Sequence, residues 1–334
     1  MIAGVHAQAI AAVAGARLVG VVSRSAERGG EFIAKHGGEV VAATVEELVA
    51  QPGIDVLCVT TPSGAHLEPA LAAIAAGKHL VVEKPIEITT ERVDELLGAA
   101  ADAGVRVAPI FQQRFSEGAQ ALKAAIDAGR FGRLTSAGCY VKWFREESYY
   151  TGSNWKGTVK FDGGGAVMNQ GIHGVDLLQW LVGLPEEVMG YTTRRVHQGI
   201  EVEDTAVASL RFADGALGTI EATTAAWSGW PMRIEICGEN GSARLEDGVI
   251  TEWKFRDESA DDADSTGGDS ALGSGAANPA GISIEGHRLQ IADMVAAVSE
   301  DRPLAIDGPA ARNAVALINA LYASAASGRP ERVS

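Results

Sequence analysis

IDVLCVTTPSGAHLEPALAAIAAGKHLVVEKPIEIT, residues 54–89, is the stretch that decides the fold. It opens on a short apolar run, IDVLCVTT (54–61), whose length and β-branched residues suit a strand buried on both faces. HLEPALAAIAAG (66–77) follows, with Leu67, Ala70, Leu71 and Ile74 at helical spacing and a glycine stop at Gly77. HLVVEK (79–84) is strand-like again. A strand, a helix and a second strand in this order form a parallel crossover, so the stretch predicts a doubly wound α/β sheet.

The alternation continues outward. TTERVDELLGAAADAG (89–104) reads as a helix with acids near its start and a glycine stop, and VRVAPIF (105–111) as the next strand. Upstream, TVEELVA (44–50) carries Thr44 and Glu47 at capping-box spacing, and RLVGVVS (17–23) is a buried strand. Sheets of this kind bind ligands beyond the carboxyl ends of their strands. Those ends are Ser23-Arg24, Thr60-Thr61-Pro62-Ser63 and Glu83-Lys84-Pro85. Each alone is an ordinary loop; three on one sheet edge point to a cofactor crevice.

MIAGVHAQAI (1–10) reads as a helix with Ile2, Val5, Ala9 and Ile10 on one face. A dinucleotide fold sets a strand and a glycine loop before such a helix. The expectation is that the chain begins inside the phosphate loop, with Ala3 in the place of the third glycine and the first strand absent. The alternative is a sheet that does without that strand.

The 334 residues have room for two domains, and 46% hydrophobic with 21% charged residues is a globular composition. A net charge of −15 weighs against a nucleic-acid partner. Charges interrupt every apolar run, so no membrane partner is expected. Cys58, Cys139 and Cys237 lie far apart in apolar runs, as buried thiols of a reducing, cytoplasmic setting do. No metal-ligand spacing is present, so no metal is expected.

Several motifs then combine. They are the Thr61-Pro62…His66 segment, AGKH (76–79), EKP (83–85), GGGAVMNQGIHGVDLLQWLVG (163–183), EVEDTAVASLRFADGALGTIEA (201–222) and HRLQIADMVAAVSEDRPLAIDG (287–308). With these the chain resembles the Gfo/Idh/MocA family of nicotinamide-dependent oxidoreductases over nearly its whole length. The resemblance implies a Rossmann domain over 1–108, N-terminally incomplete, and a substrate and oligomerisation α/β domain over 109–286 with a large open, mostly antiparallel sheet. Helices over 287–334 would return toward the Rossmann domain, and the protein would be a homo-oligomer, a dimer or tetramer.

Oxidising a sugar hydroxyl requires a donor to hold the oxygen and a base to take its proton. The resemblance assigns the first task to Lys84; without it Lys84 is a strand-end lysine of an ordinary kind. His173 is the base. It stands on a predicted helix with Asn169, Asp176 and Trp180 on one face and Met168, Ile172, Val175 and Val182 on the other. A lone helical histidine is more often structural, but this one follows a glycine triplet where a ligand has room to approach. Many relatives carry Asp where this chain has Asn169, and an amide relays no proton. His173 therefore works more alone, with Asn169 positioning substrate.

Cofactor contacts are expected from Ile2, Ala3, Ser23, Arg24, Thr60, Thr61, Pro62, Ser63, His66, Glu83, Lys84 and Gln112, the last by resemblance. Substrate contacts are expected from Arg114, Trp155, Lys156, Asn169 and Asp176, although a structural role for Asp176 is equally open. The stretch KWFREESYYTGSNWKGT (142–158) mixes aromatics with cations, as a sugar platform or an interface loop would. Ser23-Arg24 in place of an acid leans the choice of NAD(P) toward NADP. DESADDADSTGGDSALGSGAANPAG (257–281) reads as a loop or insertion. The function expected is hydride transfer to or from a cyclic sugar, sugar derivative or polyol. Its rivals are a glycosidase or epimerase that reuses bound NAD, and a non-catalytic nucleotide sensor.

Overall fold

Hydroxyl side chains set the helix starts in the first third of the chain. Ser25, Thr44 and Thr89 accept from the amides of Arg28, Glu47 and Arg92, opening α2 (Ala26–His36), α3 (Val45–Val49) and α5 (Thr90–Ala103). The Glu47 carboxylate reaches back to the amide of Ala43 at 2.8 Å, one residue before the cap. Gly104, in the left-handed region, closes α5. These features belong to a computed structural model that describes residues 2–257, Leu272, Ala276 and 283–334.

The chain divides into two units, Met1–Ile110 with Ile284–Arg312, and Phe111–Ser283 with Asn313–Ser334. In the first, α1 (Ile2–Ala11) and α4 (Leu67–Ala75) join the three helices above. Strands β1 (Gly20–Val22) and β2 (Val40–Ala42) pair in parallel, as do β3 (Val56–Val59), β4 (His79–Val82) and β5 (Val107–Pro109). The parallel strands thus form two sheets, β1-β2 and β3-β4-β5. Leu80, Val81 and Val82 are wholly buried on β4, each worth about 1.5–3 kcal/mol of apolar transfer. A later helix, α10 (Glu285–Ser299), packs Ile291 against Ala9 and Val13 of α1 and Met294 against Val81, Ala108 and Ile110.

Residues 26–42, where the sequence reading placed no element, form α2 and β2. Gly29-Gly30 interrupts the apolar pattern of α2, and β2 is only three residues long. The polar segment 257–281 lies largely outside the described residues.

The second unit is built on one eight-stranded sheet. Its strands are β6 (Leu134–Lys142), β7 (Glu187–Thr193), β8 (Thr205–Arg211), β9 (Leu217–Thr223), β10 (Arg233–Gly238), β11 (Gly241–Glu246), β12 (Val249–Phe255) and β13 (Glu331–Arg332). The order is β12-β11-β10-β6-β9-β8-β7-β13, and every pair is antiparallel except β6 and β9, which run parallel from Ser136↔Leu217 to Lys142↔Thr223. Alternation fixes its faces: Ala206, Ala208 and Leu210 of β8 point inward, while Val207 and Leu217 are exposed on the other side. Helix α9 (Ile172–Val182) covers the inward face. It comes so near β6 that a Cβ on Gly174 would lie 2.5 Å from the Cys139 sulfur.

Helix α6 (Glu117–Asp127) and the 3-10 turn Gln112–Phe115 pack on α9 as well. This corrects the expected division of α9 into a polar and a core stripe. The helix lies between layers, so His173, Asp176 and Gln179 are buried as well as Ile172 and Val175. The last helix, α11 (Gly308–Ser327), begins in the first unit and ends in the second. Among the described residues, no helix is long and apolar enough to cross a membrane.

Candidate functional site

In the first unit two of the three predicted strand ends, those after β3 and β4, are tied to one another. His66 is buried, and its Nδ1 and Nε2 lie 2.9 Å from the carbonyls of Pro85 and Thr61, joining the loop after β3 to the loop after β4. Burial pushes its pKa down against the pull of Thr61 and Glu87. Glu87 accepts from the amides of His66 and Leu67, at 3.2 and 3.1 Å, and so caps the start of α4. Thr61 donates its hydroxyl to Ala65, 2.7 Å away. His66 and Thr61 therefore hold the two loops in shape through bonds of their own.

Glu83, expected to touch cofactor, is turned into the protein. One carboxylate oxygen faces Nε2 of His6 at 2.9 Å and Nε2 of His287 at 3.2 Å, and the other accepts from the Lys84 amide at 3.1 Å. Burial opposes its charge, but the two imidazoles hold its pKa well below the usual carboxylate range. Burial also opposes charge on His6, yet its bonds to Cys58 and Glu83 push it up to about 10. His6, Glu83 and His287 are the metal-ligand types that the spacing reading missed, because positions 6, 83 and 287 share no local pattern. Their ligand atoms lie within 4.8 Å of one another, with both imidazoles already at hydrogen-bond distance from one carboxylate oxygen.

Lys84, half-buried, leaves the end of β4 just before Pro85, and the Lys84–Pro85 peptide is cis. The same unit fits a dinucleotide in its donor set. The first turn of α1, at Ile2 and Ala3, carries no acid to repel a phosphate. Thr60 to Ser63 and Glu83 to Pro85 follow adjacent parallel strands. At the end of β1 the Ser23 hydroxyl donates to the Ser25 carbonyl at 2.8 Å, which commits it to the turn, while Arg24 is exposed.

In the second unit the glycine triplet leads into a π-helical turn, Ala166–Gly171, before α9 begins. The triplet has a packing role of its own. A Cβ on Gly165 would fall 1.8 Å from the Glu203 carbonyl oxygen, and one on Gly164 2.1 Å from the Tyr322 hydroxyl. Both glycines make room for this unit's own chain. Glu203 then fastens the turn, accepting from the amides of Gly165 and Val167 and from the Tyr322 hydroxyl, each at 2.9 Å. Such π turns recur at functional sites, and this one carries Asn169 and delivers His173 at the start of α9. The His173 ring stands perpendicular to Phe111, 6.2 Å away.

Arg114 and Asp176, both expected at substrate, are paired with each other. Arg114 donates through Nε and Nη2 at 2.7 and 2.5 Å to the two carboxylate oxygens, and Gln179 adds a third bond at 3.3 Å. The pair is buried, and the guanidinium lies 5.3 Å from the Trp180 ring centroid. Gln112 is buried on the same 3-10 turn. Trp155 and Lys156 are half-buried, and the Lys156 amine stands 3.5 Å over the Tyr149 ring.

Asn169 lies in a cluster that sequence reasoning did not assemble. Its Nδ2 donates to Asp162 at the end of α8 (Val159–Asp162), and its Oδ1 accepts from Gln170 at 2.5 Å. Gln170 in turn accepts from Arg145 at 2.6 Å and donates to the Tyr149 hydroxyl at 2.9 Å. Burial pushes the pKa of Tyr149 up, keeping it neutral. Asp162 was overlooked although it immediately precedes the glycines; an acid in an otherwise apolar, glycine-rich approach was the signal available. His197 and Asp204 serve structure: Asp204 accepts from the amides of Arg195, Val196 and His197.

Known proteins share this architecture. Residues 1–111 match the description "Oxidoreductase family, NAD-binding Rossmann fold", and residues 119–244 match the "GFO/IDH/MocA C-terminal domain". The WlbA dehydrogenase of Bordetella pertussis, solved with NADH and UDP-GlcNAcA, superposes with a TM-score of 0.88 at 32% identity, covering 100% of this chain and 95% of that one. A 1,5-anhydro-D-fructose reductase of Ensifer adhaerens is 31% identical over 61% of this chain and 60% of its own length. An inositol 2-dehydrogenase of Klebsiella pneumoniae is 28% identical over 72% of this chain and 74% of its own length. On the two matched domains and the shared fold, the chain belongs to the Gfo/Idh/MocA family of oxidoreductases.

Proposed function

We propose that the protein transfers a hydride between a nicotinamide dinucleotide and a secondary hydroxyl or carbonyl of a cyclic sugar, sugar derivative or polyol. The observation that carries this reading is the buried polar cluster at the head of α9: two amides on a glycine-anchored π turn, bonded to a tyrosine and an arginine, with the His173 imidazole in the helical turn that follows. That is hydrogen-bonding chemistry for a polyhydroxylated ring, in a chain whose first domain is of the NAD-binding kind. Lys84 holds the substrate oxygen as negative charge grows on it, and His173 takes the hydroxyl proton. The bound dinucleotide supplies the hydride acceptor. In reduction the same groups return the proton.

The relatives named for sugars and cyclic polyols support this substrate class, and the WlbA complex supports a sugar nucleotide within it. The exposed Arg24 supports a preference for NADP over NAD. The exposed outer face of the sheet, with Tyr191, Val207 and Leu217, supports a homo-oligomer. Three free thiols support a cytoplasmic setting.

The test is change in reduced-nicotinamide absorbance with UDP-GlcNAcA, 1,5-anhydro-D-fructose and myo-inositol, against NAD and NADP in both directions. One of them turns over, and K84M and H173Q each lower kcat/KM by about 10²–10⁴-fold. Full activity in both variants overturns the assignment of roles.

A further inference from the structure

We infer that Asp162 is a positioning residue for the polar cluster at the head of α9: with Arg145 at the far end, it fixes the direction of the amides of Asn169 and Gln170. The inference concerns the site proposed above and rests on that reading only for its effect on turnover.

The geometry is a line of donors running one way. The Arg145 guanidinium donates to Gln170 Oε1, Gln170 Nε2 donates to Asn169 Oδ1, and Asn169 Nδ2 donates to Asp162 Oδ1. All four side chains are buried. An amide's two ends are nearly equal in shape, and its orientation is decided by its partners. Here the partners at the ends are charged: a guanidinium only donates and an ionised carboxylate only accepts. Reversing either amide would set like poles together at both of its ends. Asp162 is itself anchored by the Gly157 amide, which donates to its second oxygen at 2.7 Å.

The direction has a consequence at Tyr149. Gln170 Nε2 donates to the Tyr149 oxygen at 2.9 Å, so the phenol receives a proton there and keeps its own O–H to give. It donates that O–H to Asn169 Oδ1 at 3.4 Å, a long bond to an oxygen that also accepts from Gln170 at 2.5 Å. Tyr149 is thereby set as a donor toward the Asn169 amide oxygen. Asp162 holds that setting through two amides without touching substrate.

The experiment is a carboxyl titration by NMR on full-length protein labelled with ¹³C at Asp and Asn, for wild type, N169D and the exchange D162N/N169D. In N169D two carboxylates share one hydrogen-bond site and titrate in coupled steps about three units apart. In the exchange variant the pair holds one carboxyl again and that second step vanishes. Two independent, ordinary carboxyl titrations in N169D overturn the inference. The second readout is the pH profile of kcat with whichever of the three substrates turns over. N169D displaces its acidic limb upward, and the exchange returns the limb. A merely structural Asp162 predicts that N169D loses thermal stability with an unmoved limb, and that result overturns the positioning role. If K84M and H173Q stay active while the titrations behave as stated, the catalytic reading fails and the Asp162–Asn169 pairing stands.

Discussion

Two carboxylates, Glu83 in the first unit and Asp162 in the second, are buried to a similar degree and are stabilised in different ways. Glu83 stands between two imidazoles, groups that themselves gain and lose charge. Asp162 is held by a backbone amide and a side-chain amide, which never titrate. Burial removes water from both, at a cost of several kcal/mol for an uncompensated ion. What replaces the water decides how each responds to pH: Glu83 depends on its partners' protonation, whereas Asp162 depends on geometry. The difference suits their places, one inside the parallel-sheet unit behind the EKP loop, the other at a cluster proposed to face substrate.

The largest way to break this comparison is at Glu83. E83Q leaves two imidazoles buried around an amide and costs about 3–5 kcal/mol, a large share of a typical domain's stability. Urea unfolding measures it; a loss under 1 kcal/mol would mean the cluster carries no charge. The pH dependence follows from the two directions. His6 is raised from 6.5 to about 10, so its contribution is complete below pH 6.5 and fades as the pH rises through 10. Glu83 is lowered from 4.5, so its contribution is complete above pH 4.5 and fades as the pH falls. Stability from this cluster is therefore fullest between 4.5 and 6.5. H6Q removes the alkaline decline between pH 7 and 10, and an unchanged decline in its melting curve rules out the His6 assignment.

Asp162 sharpens the contrast with a smaller effect. D162N replaces charge-assisted bonds with neutral ones and costs about 1.5–3 kcal/mol. Urea unfolding at pH 7 measures it, and a loss under about 0.5 kcal/mol would mean that the charge adds nothing to these bonds.

How much of this was legible in the sequence depended on distance along the chain. Thr44 and Gly104 act within one turn of themselves, so that cap and that stop read directly. The strands of the parallel sheet read from short apolar runs, whereas the large sheet was legible only through the resemblance. The identities of Lys84, Asn169 and His173 were legible as motif, but not what surrounds them. His6, Glu83 and His287 meet only through the fold, and so do Arg114 with Asp176 and Gly165 with Glu203. The π turn was hidden because periodicity assumes 3.6 residues per turn throughout. Asp162 was seven residues from Asn169, near enough to notice, but nothing in the spacing tells which way an amide points.

The smallest expected effect supplies the reference for both carboxylates. The Thr89 hydroxyl accepts from the Arg92 amide at 3.4 Å and opens α5 without any charge of its own. T89A removes that cap and costs about 1 kcal/mol, read by urea unfolding. Being a bond between a neutral hydroxyl and a backbone amide, it contributes equally at pH 5, 7 and 9, and T89S retains it. Glu83 and Asp162 are each measured against that flat line. If T89A itself proves pH-dependent, the cap is coupled to Arg92, whose guanidinium bonds Glu87 and Glu68 at 2.9 and 3.0 Å, and the first unit holds a wider charged network than the Glu83 cluster alone.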